Sequence, residues 1–138
     1  MKLSIIVPCY NEQKALTIFF ECTHKIITEI GCEYEFIFIN DGSKDGTLSF
    51  LKQIAEKNAN VYYISFSRNF GKEAAMYAGF CNAKGDYVAV MDADMQDPPS
   101  LLPKMLELLQ TGEYDSVATR RVDRRGEPLI RSWFARKF

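Results

Sequence analysis

Apolar runs of strand length alternate with amphipathic stretches along most of the chain. Leu3 to Pro8 reads as a buried strand, and Ala15, Leu16, Phe19, Thr23, Ile26, Ile27 and Ile30 then recur at helical spacing. Glu35 to Asn40, rich in Ile and Phe, predicts a second strand that ends at the turn Asp41-Gly42-Ser43. Leu48, Leu51, Ile54 and Ala55 mark the inward face of the next helix, with Ser43 or Asp45 as candidate caps. Val61 to Ser65 predicts a third strand, and the polar loop Ser67 to Gly71 leads into a helix through Ala74, Ala75, Ala78 and Cys81. Tyr87 to Met91 predicts a fourth strand. Pro98-Pro99 opens a helix carrying Leu101, Leu102, Met105, Leu106 and Leu109, because proline is tolerated in a first helical turn. Ser116 to Thr119 predicts a short fifth strand.

Strands and helices alternating with crossovers of this length define an α/β fold, a Rossmann-like, mostly parallel sheet flanked by helices on both faces. Ligands of such sheets bind beyond the carboxyl ends of the strands. The polar segments fall there: Tyr10-Asn11-Glu12, Asp41-Gly42-Ser43, Arg68 to Lys72, and Asp92-Ala93-Asp94 each follow a predicted strand. Four separate segments converge on one edge of the sheet.

Composition changes this picture little. The 138 residues are 47% hydrophobic and 25% charged, as in an ordinary globular domain, and no apolar run approaches the length of a membrane span. Cys9, Cys22, Cys32 and Cys81 form no CxxC pattern and have no clustered histidines, so they read as structural or incidental thiols. The single histidine, His24, falls on the first helix and reads as structural. Charge adds more. Residues 120–138 carry seven Lys/Arg against Asp123 and Glu127, a net +5, which leaves −6 on residues 1–119 of a total of −1. The chain therefore divides into a domain over 1–119 and a basic segment over 120–138 that suits an anionic partner. The acidic body disfavours nucleic acid as that partner. An anionic membrane surface fits the basic, aromatic run from Leu129 to Phe138 better, although such runs are commonly just solvated.

Asp92-Ala93-Asp94-Met95-Gln96-Asp97 holds the main candidate chemistry. Two carboxylates two residues apart at the end of a buried strand can share one hard cation, Mg2+ or Mn2+, with Gln96 as a third oxygen at the same spacing. Such an ion would neutralise a diphosphate and make it a better leaving group. The blander reading is a solvated acidic turn in which Asp97 caps the following helix. Asp41-Gly42-Ser43 is either a glycine-rich turn or a site where Asp41 accepts hydrogen bonds from a nucleobase or ribose. The chain has no GxGxxG and no GxxxxGK[ST], which argues against a dinucleotide dehydrogenase and a P-loop nucleotidase. Arg68 and Lys72 either border a surface loop or reach the nucleotide or its phosphates.

Taken in order, Pro8-Cys9-Tyr10-Asn11-Glu12, Asn40-Asp41-Gly42-Ser43, Arg68-Asn69-Phe70-Gly71-Lys72-Glu73 and Asp92 to Pro99 resemble the family-2 glycosyltransferases of GT-A fold. Within that family the pattern is most similar to the polyprenyl-phosphate glycosyltransferases that act on bactoprenol or dolichol phosphate. The resemblance covers essentially the whole chain. It implies that Pro8, Tyr10, Glu12 and Asp41 line the nucleoside pocket, and that Asp92, Asp94 and Gln96 hold the metal on the diphosphate. It also implies that Arg120, and more weakly Arg131, meets the acceptor phosphate. Asn40 departs from the family pattern, which usually has an Asp there. Length departs too. Relatives continue into an acceptor-side segment with a further acidic residue and, in many, membrane helices, so the chain is expected to be a fragment of a longer enzyme attached to the cytoplasmic face of a membrane.

The expected reaction is metal-dependent transfer of a hexose, with inversion, from a nucleoside-diphosphate sugar (UDP-glucose first, then UDP-N-acetylhexosamine or GDP-mannose) to a polyprenyl phosphate. Asp94 and Arg120 are the expected catalytic groups. Two alternatives stand beside it: a transferase acting on a sugar hydroxyl in polysaccharide or cell-wall synthesis, and a non-catalytic nucleotide-sugar-binding module. Oligomeric state is open, a homo-oligomer included.

Overall fold

The computed structural model describes residues 1–120. Four parallel strands, β1 (Lys2–Cys9), β2 (Glu33–Asn40), β3 (Val61–Ser65) and β4 (Tyr87–Val90), form one sheet in the order β3-β2-β1-β4. Four helices connect or follow them: α1 (Gln13–Ile30), α2 (Thr47–Lys57), α3 (Lys72–Asn82) and α4 (Leu102–Gln110), the last preceded by a 3-10 turn over Pro99–Leu101. This is the α/β architecture expected from the sequence.

The two central strands explain their own composition. Leu3, Ile5, Val7 and Cys9 of β1, with Phe36 and Phe38 of β2, face the larger core, where Leu16, Phe19 and Ile27 of α1, Leu51 and Ile54 of α2, and Leu102 of α4 meet them. Ile6, Ile37 and Ile39 face the opposite side and pack on Ala75 of α3. A strand buried on both faces has no polar alternation to show, hence the near-continuous apolar runs. Among the described residues coverage is unequal, with three helices on one face and α3 alone on the other. Gly79 lets α3 lie close, since a Cβ there would come within 2.3 Å of Ile6. Gly31 ends α1 in the left-handed region (φ 73°), its N–H bonded to the carbonyls of Ile27 and Thr28.

Registers align the strand ends. β1 and β2 pair from Lys2 opposite Glu33 to Cys9 opposite Asn40, and β3 finishes level with them, Ser65 opposite Asn40. β4 pairs from Leu3 opposite Tyr87 to Ile6 opposite Val90, and the N–H of Met91 donates to the Ile6 carbonyl before the chain leaves the sheet. The loops after all four strands thus leave from one side.

Three local expectations change. Residues 116–119 form no strand, and the edge of β4 away from β1 carries no described partner, with Val88 and Val90 exposed. Ser43 does not cap α2, whose cap position is Gly46; Asp45 instead accepts the Thr47 N–H at 3.0 Å. Pro98, not Asp97, occupies the cap position of the 3-10 turn. At the far end of the sheet, buried Glu35 accepts from Lys2 Nζ at 2.6 Å, Ser4 Oγ at 2.7 Å and the Lys84 N–H at 2.7 Å. Burial alone would raise its pKa, but these bonds outweigh it and hold the carboxyl below its ordinary value.

Candidate functional site

The loops after β1 and β2 are sewn together. Asn11, in the left-handed region (φ 52°), donates its N–H to Ser43 Oγ at 2.9 Å and accepts the Lys44 N–H on Oδ1 at 2.8 Å. The N–H of Glu12 donates to Thr47 Oγ1, and that of Gln13 to Asp45, while Gln13 Oε1 accepts the Gly46 N–H. These bonds fix where Tyr10 and Glu12 stand. Tyr10 is exposed, Pro8 half-buried, and Glu12 half-buried beside the acidic turn. Burial first, then the charges of Asp94, Asp92 and Asp45, raise the Glu12 pKa. Asn40 bridges two strands: its Nδ2 donates to Ser65 Oγ at 3.0 Å and its Oδ1 accepts the Ser43 N–H at 3.1 Å. An amide, with one donor and one acceptor, serves both contacts.

Asp41 is 4% exposed and turns its carboxylate inward. Oδ1 accepts the Phe70 N–H at 2.7 Å and Oδ2 the Gly71 N–H at 3.1 Å, and Asn69 Nδ2 donates to the Asp41 carbonyl. Gly42 has φ 72°, and a Cβ on it would lie 2.4 Å from Arg68 C and Asn69 N. Only glycine fits this contact. Asp41 and Gly42 thus clamp the loop of residues 68–71, a role the sequence reading missed. Within that loop Arg68 lies over the Phe70 ring, 4.7 Å from its centroid, and Phe70 meets Phe66 edge-on.

The clamp sets the start of α3, and its first residue, Lys72, reaches across to Asp92, just beyond β4. Lys72 Nζ stands 2.7 Å from both carboxylate oxygens of Asp92. Beyond Asp92 the chain turns sharply: Met95 takes φ 61° and Asp94 Oδ1 accepts the Gln96 N–H at 3.0 Å. Asp94 and Gln96 are both exposed. Thr119 donates to Asp97 at 3.3 Å, tying the residue before exposed Arg120 to the same turn. Arg131 and the remainder of the basic segment lie outside the described residues. Below the turn, Cys9 is buried, and burial, then Glu12 and Asp92, push its thiol up.

The structure thus brings Glu12, Asp41, Lys72, Asp92 and Asp94 to one edge, with Tyr10, Arg68, Gln96 and Arg120 on loops around it. A cleft of about 630 Å3 runs from Lys72, Asp92 and Asp97 along the edge of β4 away from β1 to Leu102 and Thr119. Among the described residues no three His, Cys, Asp or Glu side chains converge to enclose a metal. The oxygen donors of Asp92, Asp94 and Gln96 are of the hard kind that Mg2+ or Mn2+ takes, with phosphate and water able to complete the shell. Among the described residues no helix is long and apolar enough to cross a membrane.

A parallel sheet with acidic and basic groups gathered at its carboxyl edge puts the candidate site where open α/β sheets bind their ligands. The chain belongs to glycosyl transferase family 2, whose sequence profile it matches over residues 4–136. It is 39% identical over 138 residues to a prophage bactoprenol glucosyl transferase homolog of Escherichia coli (strain K12), covering 97% of this chain and 45% of that one. It is 38% identical over 135 residues to the undecaprenyl-phosphate 4-deoxy-4-formamido-L-arabinose transferase of Pseudomonas fluorescens (strain SBW25), covering 97% and 39%. The chain spans less than half the length of either relative. Its fold matches a mannosyltransferase from Pyrobaculum calidifontis solved with GDP-Man and Mn2+, with a TM-score of 0.65, 24% identity, and coverage of 78% of this chain and 32% of that one. The GT-A fold expected from the motifs is the fold observed.

Proposed function

We propose that this chain is the donor-binding part of an inverting glycosyltransferase that moves a hexose from a nucleoside-diphosphate sugar to a polyprenyl phosphate. The observation that carries the reading is the pairing of Asp92, held by Lys72, with Asp94 on the adjoining turn, at the edge where four loops meet. The two relatives named for bactoprenol and for undecaprenyl phosphate differ in the sugar they are named for, which supports a shared acceptor class and leaves the sugar open. UDP-glucose is the first candidate donor. The alternative acceptor, a sugar hydroxyl in a polysaccharide, has no comparable support among these relatives.

In this reading Asp92 and Asp94, with Gln96, hold Mg2+ or Mn2+. Bound there, the ion supplies positive charge to the departing diphosphate. Lys72 adds charge at the same point. Tyr10 and Glu12, fixed by the sewn loops, border the nucleoside. Arg68, stacked on Phe70, would reach the nucleotide or its phosphates, and Asp41 supports the site by holding the loop of residues 68–71. Arg120, which follows the Thr119–Asp97 contact, would meet the acceptor phosphate, with Arg131 as a second candidate. An acceptor phosphate is already anionic near neutral pH, so it attacks the anomeric carbon in line with little need of a general base. The basic segment 120–138 would then face the cytoplasmic side of the membrane that holds the lipid.

The test supplies radiolabelled UDP-glucose and Mn2+ with either undecaprenyl phosphate or an oligosaccharide. Label on the lipid supports the proposal, and label on the oligosaccharide supports the hydroxyl-acceptor alternative. Donor binding without either product, in the natural full-length protein, would leave a non-catalytic binding module.

A further inference from the structure

Among the described residues, Asp92 and Lys72 make the one ion pair at the carboxyl edge of the sheet, and both partners are half-exposed. Two features separate this pair from an incidental surface contact. The ammonium is 2.7 Å from both oxygens of the carboxylate, so it sits where a hard cation would sit. Its backbone is also fixed, because Lys72 directly follows Gly71, whose N–H is held by the buried carboxylate of Asp41. Carboxylates crowd the site around the pair: Asp94, Asp92 and Asp45 all act on Glu12.

We propose that Lys72 is the resident counter-ion of the site. It neutralises Asp92 while no divalent cation is bound, yields that carboxylate when one arrives, and swings to the donor's diphosphate. The inference rests on the reading above that Asp92 and Asp94 receive the cation. An ammonium and a divalent ion cannot share one carboxylate without strong mutual repulsion, so one must leave. Lys72 has a long, flexible stem with a compact charge at its end, and a diphosphate gives that charge a new partner. Cation and nucleoside diphosphate therefore bind cooperatively, each clearing the way for the other.

The experiment measures Mn2+ affinity by calorimetry, with and without UDP and GDP, for the wild type, Lys72→Met, Lys72→Arg and Asp94→Ala. Without nucleotide, Lys72→Met is expected to bind Mn2+ about three- to tenfold more tightly than wild type, since it removes a competing cation. Nucleotide should then tighten its Mn2+ binding less than in the wild type, while Lys72→Arg keeps the wild-type coupling. A purely structural lysine would leave metal affinity unchanged or weaken it on removal. That result, alongside wild-type Mn2+ binding abolished by Asp94→Ala, overturns the counter-ion role and leaves the metal site standing. Absence of Mn2+ binding by the wild type, even with either nucleotide, overturns both.

Discussion

Replacing Asp41 by Asn separates two accounts of one residue. The sequence suggests a carboxylate facing a nucleobase, whereas the structure shows both oxygens engaged by the backbone of the loop after β3. Asparagine keeps one acceptor and puts an NH2 donor where the other oxygen was, so one of the Phe70 and Gly71 amides then faces a donor. The loss is one charge-assisted hydrogen bond at a site only 4% exposed. A bond of that kind contributes about 1.5–3 kcal/mol, and the unsatisfied amide keeps the cost near the upper end, about 2.5 kcal/mol. With a urea slope of about 1.5 kcal/mol/M, the unfolding midpoint should fall by roughly 1.7 M. Equilibrium unfolding followed by tryptophan-independent far-UV circular dichroism measures this directly. The loop also positions Lys72, so nucleotide binding should weaken as well, as a consequence of the lost clamp. A midpoint within about 0.3 M of wild type, with nucleotide binding lost, would refute the clamp and return Asp41 to direct contact with the base.

Other predictions follow from the same geometry. Gly42→Ala, which forces a Cβ to 2.4 Å from the Arg68 and Asn69 backbone at φ 72°, should destabilise the fold by about 3 kcal/mol in the same unfolding assay. Glu35 has its pKa lowered on folding, so its stabilisation is present above the unfolded value of about 4.3 and is lost as pH falls through the folded value. Glu35→Gln should therefore flatten the stability profile over that acid range and lower stability near neutral pH. Cys81 is exposed and Cys9 buried, so a thiol reagent should modify Cys81 in the native state and Cys9 only after unfolding, read by mass spectrometry.

What the sequence showed depended on whether a feature was local. The β1 and β2 runs were legible because strands covered on both faces are apolar along most of their length, and the Asp92 to Gln96 segment was legible because its spacing is short-range. Features made by pairs distant in sequence were not. Nothing near Asp41 announces that its partners are amides 29 and 30 residues away. Nor does any pattern pair Lys72 with Asp92 or Asn11 with Ser43 and Lys44. Ser116 to Thr119 has a strand-like composition, but strand formation requires a ladder partner, and the described part of the chain makes none there. Gly79 carried no signal on its own; its meaning comes from Ile6 beneath it.

The central claim is that the carboxyl edge of this sheet binds a nucleoside diphosphate through a cation held by Asp92 and Asp94. Calorimetric titration of the protein with UDP and with GDP, each with and without Mn2+, tests it most directly. One nucleotide is expected to bind, with a requirement for Mn2+, and its binding should disappear in Asp94→Ala. Binding that is indifferent to Mn2+ and survives Asp94→Ala would contradict it.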